Sequence, residues 1–438
     1  MNLVVAKTET GRALSDVFAV ARGRLPGAGR VAEVRRQAFE AFERSGLPHR
    51  RIEEWKYTDL RALMREVLPL APKPDAAALK RARATLQSHA VEGTSKLVLV
   101  DGVFVPELSD AAGAGVSVRT LREILENAAN AAAADLLITN ATDAMISLNA
   151  ALATDGVVLG IADGTALSRP IHIIHVATAA SASAFTRSHV KIGKGARATF
   201  VESFVAAEGA KAYQTNDAAI VWVGEGAELE HVRMMADAID SINVSSAVFT
   251  VGARARLNTF NMTSGGHVSR YQGYLTFAGE GAHVTTNGVN LLNGRQHADS
   301  TLLLDHAVPN CESREIFRAV VDDRAHSVFQ GRIIVRPDAQ KTDAKMMTRA
   351  LLLSDEAEAD NKPELEIFAD DVTCGHGATA GALDENLLFY LHARGLCEKD
   401  AQALLIQAFV GEAIESIAND TLRELAIATA QRWLEARG

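Results

Sequence analysis

The chain has only three cysteines in 438 residues, Cys311, Cys374 and Cys397, and no C-x-x-C pair. That is too few for a disulfide framework, and too few for a structural zinc or iron–sulfur site closed by one chain, which usually takes four ligands. Any metal held here needs histidine, carboxylate or a second chain. Aromatic residues make up 5% of the total, which counts against a sugar-binding groove built on aromatic platforms. The longest uninterrupted apolar runs are about six residues, as at Ala218–Val223, where a transmembrane helix needs ~20. Positive charge is in deficit: 45 lysines and arginines stand against 54 acidic residues, a net of −9. That balance argues against a non-specific grip on nucleic acid or on an anionic membrane surface. The opening MNLVVAKTETGR carries Lys7 and Glu9 where a secretory signal needs its apolar stretch, so a cytoplasmic location is expected. There is no G-x-x-x-x-G-K-[ST], H-E-x-x-H or G-x-S-x-G, and nucleotide hydrolysis by this chain alone is not expected.

What is present is globular: 48% hydrophobic and 23% charged residues, over a length about three times the ~150 residues of one average domain. Three regions are expected: 1–145, helical with a β-hairpin near 97–105; 146–372, rich in strands; and 373–438, helical. In the first, Val31, Val34, Ala38, Ala41 and Phe42 fall at helical spacing, with Gly46 and Pro48 as the stop. RIEEWKYTDL, Arg51 to Leu60, places Trp55 and Tyr57 among charges and is expected to pack on a neighbouring element. LVLVDGVFV puts Asp-Gly between two β-rich runs, the pattern of a type I′ hairpin.

Within the second region a unit recurs: IGKGARATF, VGEGAELEH, VGARARLNT and AGEGAHVTT. Its Gly-Ala pairs begin at Gly195, Gly226, Gly252 and Gly281, at intervals of 31, 26 and 29 residues. Such a period suggests stacked coils, each burying its apolar face on the next, with glycine at crowded corners. A parallel β-helix is therefore preferred to a β-sandwich. The glycines do not form a phosphate cradle, because strand residues rather than a helix follow them. The histidines here, His172, His175, His189, His231, His267, His283 and His297, read as structural side chains. Cys311 and Cys397 read as buried space-fillers. In the last region Leu405, Phe409, Ala413 and Ile417 recur every four residues, and Thr421 to Glu424 has the form of a capping box. The Leu405–Ile417 stripe either docks back on the β body or faces a partner.

One constellation stands apart, Asp370-Asp371-Val-Thr-Cys374-Gly-His376-Gly. In an extended stretch Cys374 and His376 point the same way, and thiolate with imidazole suits iron–sulfur, zinc or copper(I). Two ligands do not close a site, and the glycines could simply make a corner.

The C-terminal half resembles the SufB/SufD family of iron–sulfur cluster assembly proteins. The resemblance is carried by DHAVPNCESREIFRAVVDDRAHSVFQGRIIV from Asp305, by AQKTDAKMMTRALLLSDEAEADNKPELEIFADDVTCGHGATAGALDENLLFYLHARG from Ala339, and by RIEEWKYTDL. The chain looks like the SufD branch, since LLLSDEAEAD lacks the cysteine of the SufB branch and Gly377 follows His376 where SufB carries glutamate. The resemblance implies a right-handed parallel β-helix between helical segments, acting as a non-catalytic scaffold paired with SufB and carrying the ATPase SufC on its terminal helices, with Leu405, Phe409, Ala413 and Ile417 as the docking stripe. It implies a transient iron–sulfur cluster shared with SufB, with His376 and Cys374 as ligands and Asp371 as an orienting group. Flavin is associated with the assembled complex only. An isolated chain could self-pair as a homodimer. The competing readings are a β-helix enzyme acting on polysaccharide and a purely structural adaptor.

Overall fold

The computed structural model describes residues 9–127, 130 and 132–437. Its body is a parallel β-solenoid whose coils alternate between a nine-stranded and a ten-stranded sheet. One coil shows the plan. Gln214–Val223 lies in the nine-stranded sheet, a glycine corner follows, and Glu228–Ala236 runs in the ten-stranded sheet. Ile242–Val251 then returns to stack in parallel on Gln214–Val223. Identical register carries one inward column through the nine-stranded sheet: Val190, Val221, Phe249, Leu275, Leu304 and Ile333. All six are buried, each contributing roughly 1.5–3 kcal/mol by burial.

The corners explain the repeat and correct its phase. In all four units the invariant position is the glycine opening the turn: Gly193, Gly224, Gly252 and Gly279. A Cβ there would meet the backbone of the coil before, at 2.6 Å from the Asp163 nitrogen for Gly193 and 2.1 Å from the Ala253 nitrogen for Gly279. Two residues later the chain is left-handed, at Gly195, Gly226 and Gly281, and in the third unit at Arg254 (φ 54°). Gly252 thus matches Gly193 rather than Gly195. The alanine that follows (Ala196, Ala227, Ala255, Ala282) is buried in every coil.

The two ends of the solenoid differ. At the first end, Ser95–Val100 pairs in parallel with Ile171–Ala177 and turns through Asp101 and Gly102, both at positive φ, into antiparallel Val103–Phe104. This is the hairpin expected at 97–105. Val116–Thr120, antiparallel to Val157–Ile161, closes the other sheet. At the far end Glu358–Ile367 and Thr373–Gly381 are the last strands of the two sheets. The chain is therefore still β at 373, where the helical region was expected to begin, and the next helix starts at Glu385.

Helices cover the outer faces. Glu9–Ala21 and Arg30–Ser45, stacked through Phe18 and Phe39 with ring centroids 4.1 Å apart, pack with Ala144–Leu152 over Phe185 and Val244 of the nine-stranded sheet. RIEEWKYTDL locks onto the same sheet. The Arg270 guanidinium lies 3.8 Å from the Trp55 ring centroid; it forms a fully buried ion pair with Asp299 and donates to the Glu54 carbonyl at 2.6 Å. The indole N–H of Trp55 donates to Asp143 at 2.9 Å. On the ten-stranded sheet, Glu398–Ile414 and Asp420–Ala436 bury Ile406, Val410, Ile414 and Leu422 against Val232, Phe260, Val289 and Val320. The last helix is capped by Asn419, whose side chain accepts from the Leu422 N–H, so the expected box at Thr421 lies inside it.

Trp55→Ala removes a buried ring and uncovers Arg270. A loss of roughly 3–5 kcal/mol is expected, read as a lower denaturation midpoint; an unchanged midpoint would mean that this segment does not brace the sheet.

Candidate functional site

Cys374 and His376 sit on the terminal strand Thr373–Gly381, which pairs on one side only, with Asp343–Leu352. Register sets their direction. Cys374 lies beside Ala344 and His376 beside Met346, and Ala344 and Met346 are buried core positions. Both side chains therefore continue the inward columns, at a coil with no further strand stacked beyond it among the described residues. Cys374 is half-buried against the apolar core, and burial raises its thiol above the ordinary range, with Asp343 and Glu315 acting in the same direction. His376 is exposed. Between them Gly375 meets nothing within 4 Å of where a Cβ would stand, whereas a Cβ on Gly377 would strike the Met347 methyl at 2.6 Å. The first glycine leaves open space at the edge; the second faces the movable end of the Met347 side chain.

Asp371 does not join the pair. Its carboxylate is held by Lys341 and its carbonyl accepts from the Lys341 N–H at 2.7 Å, which makes it a corner residue. The orienting role expected for it has no contact to support it among the described residues.

A residue not expected from the sequence lies beneath the pair. Glu315 is in register with Met346, and Met346 with His376. It is 1% exposed, and burial pushes its pKa up to about 8, a rise that the Ser313 hydroxyl and the Arg314 charge offset only in part. The signal was its place in SREIFRA, two residues before Phe317 on the inward face, but only the coil register shows which face that is.

The terminal-helix stripe is corrected in part. Ala413 and Ile417 are fully buried on the solenoid, and Phe409 packs there with the buried Arg318 guanidinium 5.6 Å from its ring. Leu405 alone of the four lies outside this cluster, half-buried. The stripe is core because the ten-stranded sheet's outer face is itself apolar and needs a cover. The exposed apolar surface is elsewhere: helix Glu385–His392 has no buried residue, and Leu387, Phe389 (75% exposed), Tyr390 and Leu404 face solvent. Cys311 is buried in the core as expected, while Cys397 is exposed at the start of helix Glu398–Ile414, contrary to expectation. No described helix is long and apolar enough to cross a membrane.

Fold and site together define a class: a helix-clad parallel β-solenoid with one capped end and one open end that carries a thiol and an imidazole. The family model "SUF system FeS cluster assembly, SufBD core domain" matches residues 175–409, and that of the SufBD N-terminal region matches 26–173. The chain belongs to the SufB/SufD family of iron–sulfur cluster assembly proteins. It is 31% identical over 405 residues to iron-sulfur cluster assembly protein SufD of Escherichia coli K12, covering 90% of each chain. Over 387 residues it is 31% identical to a SufBD family protein of Synechocystis, covering 85% of this chain and 84% of the other. It is 26% identical over 298 residues to SufD of Bacillus subtilis, covering 66% of each. It is a SufD-like member of the family.

Stability should respond to pH from both sides. Glu315 is raised from 4.5 to about 8, so the folded state holds a proton that the unfolded state releases, and stability falls as pH rises through that interval. Burial lowers His172 to about 3 and His306 to about 4 from an ordinary 6.5, so stability also falls as pH drops below 6.5. Glu315→Gln should leave stability below pH 4.5 following the same course and flatten the fall between 6.5 and 8 in thermal melts; an alkaline limb of unchanged steepness would mean that Glu315 is not buried as a neutral acid.

Proposed function

We infer that this chain is the SufD-type scaffold subunit of a SufBCD-like iron–sulfur cluster assembly complex. The open end of its solenoid pairs with a SufB-type sister, and His376 and Cys374 contribute to the pocket in which a nascent cluster forms. The observation that carries this reading is the free edge of the last coil. Glu358–Ile367 and Thr373–Gly381 offer unpaired backbone groups, and such edges are otherwise covered or blunted. The same coil carries the only two side chains in the Cys374–His376 stretch suited to iron and sulfide.

The chemistry asks little of this chain alone. The cluster is cargo that must be handed on, so ligands divided between two subunits release it when the subunits move apart, whereas four thiolates on one rigid chain retain it. Cys374 has a raised thiol pKa, which suits a secondary ligand better than a primary nucleophile. His376, exposed, is free to turn its imidazole to iron or to hold a proton at sulfide. Glu315, a neutral acid below them, keeps additional negative charge out of the pocket. The chain is proposed to be non-catalytic and to act in the cytoplasm, with ATP hydrolysis left to a SufC-type partner. That partner would dock on the exposed apolar residues Leu387, Phe389, Tyr390 and Leu404.

Two experiments test these assignments. Cluster reconstitution on the complex carrying His376→Ala should give roughly a tenfold lower yield; an unchanged yield removes His376 from the pocket. Phe389→Asp should abolish co-purification with the ATPase subunit and leave the melting temperature unchanged, whereas Phe409→Asp should cost roughly 3 kcal/mol of stability. If Phe389→Asp retains the ATPase subunit, the docking face lies elsewhere.

A further inference from the structure

The inward face of the early coils is apolar at one end of the strands and polar at the other. In the polar half, one ring nitrogen of His175, one carboxylate oxygen of Glu202 and one of Asp217 lie within 4.8 Å of one another, and all three residues are buried. His175 and Glu202 belong to adjacent strands of the ten-stranded sheet, and Asp217 comes from the facing sheet.

Each member is already oriented. The His175 ring stacks on Phe204 at 4.3 Å with 7° between planes. Glu202 accepts from the His231 ring nitrogen at 2.7 Å, and Asp217 accepts from the Thr186 hydroxyl at 2.5 Å. His175 Nε2, itself buried, has no hydrogen-bond partner among the described residues. A buried imidazole nitrogen without a partner is a strong acceptor left idle, beside two carboxylates that repel one another. Buried cations stand close by: Arg233 donates to Asn261 at 2.9 Å and acts electrostatically on all three residues, and Arg187 acts on Asp217. A cavity of about 30 Å³ lined by His175, Thr186, Phe204, Tyr213 and Asp237 adjoins the cluster and extends toward half-buried Asp101 and Ala179. That is room for a water or an ion on the His175 side of the cluster, while Glu202 and Asp217 do not line it.

We propose that His175, Glu202 and Asp217 form a binding site for one divalent first-row transition-metal cation inside the solenoid. One imidazole and two carboxylates suit borderline cations such as zinc or ferrous iron, and the absence of thiolate sets this donor set apart from Cys374 and His376. The strand of Glu202 is six strands from that of His376 in the ten-stranded sheet, on the order of 29 Å at the usual strand spacing. The cation bridges the two sheets, and it is resident rather than cargo because the site is enclosed.

The test uses the full chain carrying Cys374→Ser and His376→Ala, stripped with chelator, dialysed against Zn²⁺ and separately against Co²⁺. One equivalent of Zn²⁺ should bind and raise the melting temperature, and the Co²⁺ form should show d–d absorption without sulfur charge transfer. Adding Asp217→Asn should eliminate both the bound equivalent and the thermal shift while the metal-free protein stays folded. X-ray absorption of the bound zinc should give a nitrogen and oxygen shell containing one imidazole; this reading stands even where a variant fails to fold. No binding to the parent, binding retained in Asp217→Asn, or sulfur in the shell each overturns the proposal. None of these outcomes depends on the role given to His376.

Discussion

A coil of a parallel solenoid is stable only against a neighbour. Its backbone groups are satisfied by the coil before and the coil after, and its inward side chains lie between those of both. Every coil from Val157 to Leu352 has two such neighbours. The first edges are closed by short antiparallel strands, the hairpin at Val103–Phe104 and the strand Val116–Thr120. Among the described residues the last coil receives no such closure, although short capping strands close the other end. The open end is where the fold leaves its strand-forming capacity unused, and the thiol and imidazole stand there.

The rest of the architecture supports that asymmetry. The N-terminal helices and RIEEWKYTDL brace the nine-stranded sheet, with Gln330 as well as Arg270 donating to the Glu54 carbonyl. The C-terminal helices brace the other sheet, through Arg318 on Glu412 and Asn258 on the Ser416 carbonyl. With both outer faces occupied, the chain keeps two exposed surfaces of interest: the last coil and the apolar helix Glu385–His392. In the proposed function these two surfaces serve the two partners, and they follow one another in the chain, the helix beginning four residues after the last strand.

Much of the fold was legible because its signals are local. Asp-Gly at 101–102 favours a turn, and in four corners the crowded opening position holds glycine and the buried position three residues on holds alanine, so these coils announce themselves at about thirty-residue spacing. The third corner misled because Arg254 occupies the left-handed position that glycine takes elsewhere, which moved the apparent Gly-Ala pair by two residues. The site was legible only to the point of a shared face: alternation put Cys374 and His376 together. Glu315 depended on register across coils and Asp371 on the neighbouring Lys341, and neither is encoded locally. The stripe at Leu405, Phe409, Ala413 and Ile417 shows the general limit, since amphipathicity says that a face must be covered but not by what.

In the proposed assembly the final coil is completed by another subunit. Hydrogen exchange at the amides of Glu358–Ile367 and Thr373–Gly381 measures this directly, on the chain at a concentration where it is monomeric and again after adding a SufB-type sister. Rapid exchange in the lone chain and strong protection in the pair is the predicted result. A stable pair in which those amides exchange as fast as before would contradict the account.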